Sequence, residues 1–526
     1  MKSFVLSLAA LVAATAAAPP TAILPDGTYR YETAIGGKAV GESTIVVDRS
    51  SGALTVSESA TLAGHSLVSK RTIVEANFAT TDYSATVSGK QFVVTITGND
   101  ATLTADGKQT TIAAAQGAPF VVGDNMVAGF GLIPALLHVT GAKQFTLACL
   151  CGAYLSVPVA VTEQHAGGAT IAVEGQTGTL AFDPQTYVLQ RFDLPSQQLS
   201  IVLKSHDPTV TALPSPVAAT PLPLPPAHYL SRDVSIRADD GVVLAGTLTV
   251  PNAARPVPGI VFVHGSGCID RDETIGPNKV FAQLANALSN AGYAVLRYDK
   301  RSCGSSGGTF ATRDRLIADA RDALAFLRAQ PGIDASRIFV LGHSEGGELA
   351  PSIAIAEGNL RGIVLLAPPA LPLEKIIMQQ TLRTATATDR PQLQLEEQAQ
   401  LDAIAAGQKP GAYNAWLRSS FGIDPAKIIA QVPCPILIVQ GSKDIQVLPA
   451  DTPRLADAAR SAKRDVTVVM LDGDDHLFIK LDPGDSSTGG EYFTPSYLDP
   501  ALFTAIKTWL AQRVRSVSLS SVGTSA

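Results

Sequence analysis

Ser344 is the residue of this chain best placed to act as a nucleophile. It stands in Gly342-His343-Ser344-Glu345-Gly346-Gly347, after an apolar run at 337–341 that reads as a strand and before a helical pattern over 345–356. Strand, glycine-flanked serine and helix make a tight elbow, in which side chains at the flanking positions would strike the neighbouring strand or helix. The turn lifts the hydroxyl clear of the sheet and aims the first free amides of the helix at an oxyanion formed beside it. The chemistry served by this layout is acyl transfer through a covalent serine intermediate.

A serine hydroxyl needs a base, and the base needs an orienting acid. The apolar run 435–440 reads as a buried strand and leads into Gly441-Ser442-Lys443-Asp444, so Asp444 is expected at a strand's C-terminal edge as the orienting carboxylate. A further strand pattern at 465–470 precedes Gly473-Asp474-Asp475-His476, and His476 is expected as the general base. Its imidazole must be neutral to accept the serine proton, so activity should rise as that ring loses its charge. Upstream, the run 259–263 ends in His264-Gly265-Ser266-Gly267, the kind of loop that supplies a second oxyanion donor. The expected donors are the main-chain amides of Ser266 and Glu345, with Gly267 as the alternative to Ser266.

The chain order Ser344, Asp444, His476 is that of the α/β-hydrolases and differs from the chymotrypsin and subtilisin orders. The stretch 261–307 resembles bacterial serine carboxylesterases of that superfamily, often labelled peptidase-like. The shared pattern is His264-Gly265-Ser266-Gly267, then Asp270-Arg271-Asp272-Glu273-Thr274, Asn278-Lys279 and Arg297-Tyr298-Asp299-Lys300-Arg301. With the motifs around Ser344, Asp444 and His476, the resemblance covers nearly all of the C-terminal half and none of the first half. It implies an α/β-hydrolase fold, a mostly parallel sheet with helices on both faces and a helical cap, acting on short-chain carboxylic esters without cofactor or metal. In that fold the strands before Cys268 and Cys303 are neighbours, so the resemblance implies a Cys268–Cys303 disulfide, the alternative being two unpaired thiols. These cysteines are a departure from the family pattern.

Several neighbours compete for the same roles. Asp474 and Asp475 adjoin the base and rival Asp444, although a sequence neighbour rarely faces the ring nitrogen opposite the serine. His264 is expected to pack under the oxyanion loop. The charges of Arg271, Asp272, Lys279, Asp299 and Arg301 are expected to fix that loop through ion pairs, direct substrate contact being the alternative.

At 526 residues the chain exceeds one ordinary core and indicates two folded domains. With 46% apolar and 16% charged residues, a net charge of −6 and no basic stripe, its composition is globular and argues against a nucleic-acid partner. Beyond the first residues no apolar run is long enough to span a membrane. Lys2, an apolar run over 4–14 and Ala14-Thr15-Ala16 read as a signal peptide over 1–18, which would place the protein in the periplasm or outside the cell. That compartment is oxidising, and the five cysteines can be sorted accordingly. Cys149 and Cys151 are too close for an easy intrastrand bridge, a link within a turn being the alternative, Cys434 reads as a lone core thiol, and no cluster has zinc-site spacing.

Residues 22–206 show short alternating runs punctuated by Gly-Gly and Asp-Gly pairs, the mark of a separate all-β antiparallel domain. A barrel or sandwich is expected, its sheet packed on itself or against a single short helix around 126–137. Its histidines, His65, His138 and His165, are scattered, so it reads as a scaffold or a ligand-gripping module. Seven prolines crowd 207–228, a semi-rigid linker. Strands then alternate with helices over 229–515, the catalytic domain. A polar-rich helical insertion at 371–431 reads as the cap. Its Tyr413, Trp416, Leu417 and Phe421 are expected either in the acyl pocket or in the cap's own core. A second insertion, 481–500, carries Tyr492, Phe493 and Tyr497 and is expected to rim the entrance.

The combined reading is an exported serine hydrolase whose partner is a small-molecule ester. A peptidase or amidase would use the same triad, but the first half is too short for the propeller of large serine peptidases of this fold. A binding protein on the same fold would usually have lost a triad member.

Overall fold

The computed structural model describes residues 23–515 except 63–64, 77, 88–89, 98–99, 106–107, 114–119, 124–126, 150–154, 174–175, 216–220, 384, 386, 388–389 and 410. The expected signal peptide over 1–18 and Cys151 lie outside the described residues.

Alternation with a period of two builds the first half. In the strand Gly27–Ile35, Tyr29 and Tyr31 are buried while Arg30 is exposed and Glu32 half-exposed. Fourteen more strands extend this one into a single 15-stranded sheet in which most neighbours in space are neighbours in sequence. Gly27–Ile35 pairs with Leu199–Asp207 and joins its two wings. The strands form one hydrogen-bonded sheet, and both of its wings pack into a single core with one helix. Val127–Thr140 is apolar almost all round, and Leu132, Ile133 and Leu136 pack with Tyr29, Val47, Val56 and Phe192. The helix start is met by a buried charge: Glu58 Oε2 accepts the Ala128 amide at 3.2 Å and lies 3.9 Å from Arg71, both side chains fully enclosed. The Arg71 guanidinium lies 4.9 Å from the centre of the Tyr83 ring.

Continuous apolar runs, not alternation, build the second sheet. Its strands are β1 (Tyr229–Arg237), β2 (Val243–Pro251), β3 (Val257–Val263), β4 (Ala294–Tyr298), β5 (Ile333–His343), β6 (Gly362–Leu366), β7 (Ile436–Gly441) and β8 (Val466–Leu471), in the spatial order β1-β2-β4-β3-β5-β6-β7-β8. β1 and β2 are antiparallel to their neighbours, and the strands from β4 to β8 are parallel. Every residue of β3, β4, β6 and β7 is buried, as a sheet covered on both faces requires. One face packs on α1 (Val280–Asn290) and the C-terminal helix, the other on α2 (Arg313–Arg328) and α3 (Glu345–Glu357). Between β6 and β7 stands the cap, made of α4 (Leu373–Leu382), α5 (Arg390–Ala405), α6 (Ala412–Ser420) and α7 (Pro425–Ile429).

The proline-rich stretch is held at both ends. Thr28 Oγ1 donates to Thr209 O at 2.8 Å on one side. On the other, Asn286, Asn290 and Tyr497 donate to the carbonyls of Pro225, Pro226 and Pro223 at 2.9–3.0 Å. The two halves also touch directly. The turn after Gly27–Ile35 lies so close to the 481–500 insertion that a Cβ on Gly36 would stand 2.3 Å from Thr488, and one on Gly490 would stand 2.8 Å from Ile35 O.

Candidate active site

Ser344 occupies the sharp connection between β5 and α3 with φ 52° and ψ −118°, left-handed backbone that L-residues with side chains rarely adopt. The flanking glycines make this possible. A Cβ on Gly342 would lie 2.0 Å from Gly346 O, and one on Gly346 would lie 1.9 Å from Val263 O. The Ser344 amide donates to Leu366 O at 2.9 Å, which anchors the elbow to β6.

Asp444 lies in the turn after β7 and His476 in the loop after β8. His476 Nδ1 stands 2.8 Å from Asp444 Oδ2, and the other carboxylate oxygen accepts the amides of Gln446 and Val447 at 2.8 and 2.9 Å. Gln440 Nε2 adds a third donor at 2.8 Å. Burial pushes the Asp444 carboxyl upward, but the facing imidazole and these amides outweigh it and hold its pKa below the usual carboxylate range. His476 reaches the elbow through its neighbour: its ring lies 4.9 Å from that of His343, whose Nε2 is 2.9 Å from His476 O. No hydrogen bond joins Ser344 Oγ to His476 among the described residues; such contacts are often long until substrate binds.

Asp475 and Asp474 do other work. Asp475 Oδ1 accepts the amides of Leu477 and Ile479, both at 2.9 Å, and shapes the histidine loop. Burial pushes the Asp475 carboxyl up to about 8 and that of Asp474 to about 7.

The loop after β3 faces the elbow. The Gly265 amide is taken by Glu273 Oε1 at 2.7 Å, so it is not available to a ligand. The Ser266 amide takes no acceptor among the described residues, and that of Glu345 is the first of α3 and has no partner within the helix. Gly267 follows with φ 90°. Glu273 is fully buried and also lies 3.1 Å from His343 Nδ1. Burial pushes His343 toward its neutral form, but the Glu273 charge holds its pKa above the ordinary value. The chain Gly265–Glu273–His343–His476 therefore ties the donor loop to the histidine loop. Sequence reading left Glu273 without a role; its place in Asp270-Arg271-Asp272-Glu273-Thr274 was the available signal.

Ion pairs brace the loop from outside. Arg271 forks onto Asp299 at 3.0 and 2.8 Å, Arg301 onto Asp319 at 2.9 and 2.6 Å, and Lys279 meets Asp272 at 3.1 Å. His264 donates from Nε2 to Tyr298 O and is buried; desolvation pushes its pKa down to about 4, so it stays neutral and structural. Cys268 and Cys303 form a disulfide with their Cα atoms 5.4 Å apart. Cys434 is a buried free thiol whose pKa burial raises to about 12.

Ser344, Ser266 and Glu345 line one cavity of about 160 Å³ beneath the cap, whose walls include Leu371, Ile376, Tyr413, Trp416 and Leu417. Trp416 Nε1 donates to Glu345 Oε1 at 2.6 Å, while Lys300 Nζ reaches Glu345 Oε2 at 2.5 Å and Gly265 O at 2.9 Å. Glu345 thus links the cap to the donor loop. Phe421, expected with these aromatics, packs on the core instead and does not line the cavity. The second insertion does not rim it either. Tyr492 is buried with Leu477 and Phe478 of the histidine loop, and Tyr497, half exposed, donates to Pro223 O.

This strand order, elbow and cap define an α/β-hydrolase, and the chain belongs to that family. The model of the alpha/beta hydrolase family matches residues 260–485. Esterase EstD of Thermotoga maritima is 33% identical over 298 residues, covering 55% of this chain and 69% of that esterase. An uncharacterised protein of Mycobacterium tuberculosis is 28% identical over 259 residues, covering 49% of this chain and 75% of its own length. Among solved structures, an esterase of Pyrococcus furiosus aligns with 55% of this chain and 90% of its own at 16% identity and a TM-score of 0.38.

Proposed function

We propose that this chain is a serine hydrolase that cleaves carboxylic esters through an acyl-enzyme. The observation that carries this reading is one cavity lined by the strained Ser344 together with Ser266 and Glu345, with His476, held by Asp444, packed on the neighbouring His343.

The steps follow from the geometry. Ser344 Oγ attacks the ester carbonyl carbon and passes its proton to His476 Nε2. Negative charge then gathers on the carbonyl oxygen, where the Ser266 and Glu345 amides, or Gly267 in place of Ser266, donate to it. Asp444 accepts from His476 Nδ1, fixing the tautomer and stabilising the imidazolium. His476 returns the proton to the departing alcohol, and a water activated by the same imidazole releases the acid. A cavity of about 160 Å³ with apolar walls suits a short acyl chain. The EstD relative, an esterase by name, supports the ester class. Export under a signal segment at 1–18 agrees with the Cys268–Cys303 disulfide, since such bonds persist in oxidising compartments.

The test is hydrolysis of p-nitrophenyl acetate, butyrate and octanoate by the protein and its Ser344→Ala variant, with a fluorophosphonate label located by mass spectrometry. Label on Ser344 and lost turnover in the variant support the reading. A wild-type protein that neither turns over nor labels overturns it.

A further inference from the structure

Lys300 follows β4 in the run Arg297-Tyr298-Asp299-Lys300-Arg301, and its side chain is buried instead of reaching water. An ammonium leaves water only where other groups compensate it. Here Nζ donates to Gly265 O at 2.9 Å and to Glu345 Oε2 at 2.5 Å. No proton in the acyl-transfer steps passes through this ammonium, so its aim at a main-chain carbonyl calls for another explanation. The carbonyl of Gly265 and the amide of Ser266 are the two ends of one rigid peptide plane. Whatever holds the oxygen therefore sets the direction of the Ser266 N–H, the expected oxyanion donor, which takes no acceptor among the described residues.

A glycine at the head of that plane restricts its torsions least of all residues. Both of its peptides are held from outside instead. Glu273 Oε1 accepts the Gly265 amide at 2.7 Å and Lys300 takes the Gly265 carbonyl, so a buried charged group fixes the chain on each side of the Gly265 Cα. The ammonium also draws electron density toward the Gly265 oxygen, which makes the N–H at the other end of the plane a stronger donor. We propose that Lys300 is a positioning residue for the oxyanion: through the Gly265–Ser266 peptide it aims and polarises the Ser266 N–H toward charge developing beside Ser344. Glu345 holds Lys300 in place. Its other oxygen accepts from Trp416 Nε1 at 2.6 Å, so a helix of the cap stands at the far end of the same chain of bonds. This rests on the reading of Ser344 as nucleophile and adds to it the group that aims the donor.

The test measures kcat and KM for p-nitrophenyl butyrate, inhibition by n-butylboronic acid and melting temperature in the wild type and three variants. The boronic acid forms a tetrahedral adduct on a serine hydroxyl and so reports on the oxyanion donors without turnover. In Lys300→Met, kcat should fall on the order of 100-fold, the effect of a small misplacement of a catalytic group, with KM little changed. The inhibition constant should rise in step with the fall in kcat/KM. Lys300→Arg keeps a cationic donor and should recover part of the rate. Lys300→Met also strands the Glu345 carboxylate, so the third variant adds Glu345→Gln, which removes that charge and still accepts from Trp416. This double variant should regain melting temperature while its kcat stays low, and it carries the comparison if Lys300→Met alone does not fold. An unchanged kcat, an unchanged boronate affinity, or a rate restored by Glu345→Gln makes Lys300 a counterion only and overturns the inference, while wild-type turnover and labelling at Ser344 leave the esterase reading standing. A wild type that neither turns over nor labels removes the esterase reading, and the inference falls with it.

Discussion

The two sheets of this molecule are built by opposite rules, and the proposed catalytic residues collect on only one. In the first sheet most successive strands are spatial neighbours, so its turns are divided between two opposite edges. In the second, parallel strands connected by helices bring the C-terminal ends of β3, β5, β7 and β8 to one edge. The loops leaving those four ends carry Ser266, Ser344, Asp444 and His476. Buried charge exists in both halves, but Glu58 and Arg71 lie near each other and a helix end, both fully enclosed. The lesson is topological: crossovers concentrate loop residues at one edge, and a meander disperses them.

The comparison breaks if chemistry survives loss of the parallel-sheet edge. Ser344→Ala should cost at least about 10,000-fold in kcat on p-nitrophenyl butyrate with an unchanged melting temperature; retained turnover would move the nucleophile elsewhere. Asp444→Asn should approach the same loss, because the amide favours the wrong imidazole tautomer. The first sheet should answer in stability instead. Arg71→Met removes the cation 3.9 Å from the enclosed Glu58 carboxylate and should cost about 3–5 kcal/mol in denaturant unfolding, with kcat of the folded protein unaltered.

Smaller effects sharpen the contrast. Trp416→Phe keeps an aromatic ring in the cap and removes the donor to Glu345, so kcat/KM should fall on the order of 10-fold while the loss in stability stays slight; equal losses in both would make Trp416 a packing residue only. Asp475 supplies a pH test. With a folded pKa near 8, against an ordinary carboxylate value of about 4, the folded protein keeps a proton between those values that the unfolded chain has released, so the contribution is full below about pH 4 and is lost progressively as pH rises to about 8. Asp475→Asn still accepts the two loop amides and carries no charge. Its melting temperature should therefore fall less than the wild type's as pH is raised through that range.

Residues whose partners are near in sequence, or whose environment a strand end dictates, were legible before the structure. Gly342 and Gly346 announced the elbow, and the apolar runs before Gly441 and after Arg464 announced β7 and β8. The first half was legible as antiparallel strands and one helix, yet its union into a single sheet depends on the pairing of Gly27–Ile35 with Leu199–Asp207, for which alternation carries no signal. Glu273 was hidden for a related reason: its partners, Gly265 and His343, are set by the elbow's three-dimensional approach to the donor loop. The insertion aromatics are absent from the cavity lining because Tyr492 joins the core behind the histidine loop and Tyr497 bonds Pro223 O, partners far away in sequence.

The contact between Gly36 and Thr488 has a practical reading in terms of a cut chain. Thr209 and Thr211 stay with the first half through Thr28, and Pro223, Pro225 and Pro226 stay with the second, so a protease has its opening between these anchors. A chain nicked there would have lost its covalent tether while keeping the turn seated against residues 488–490. The two fragments should then travel together through a sizing column and separate only in denaturant.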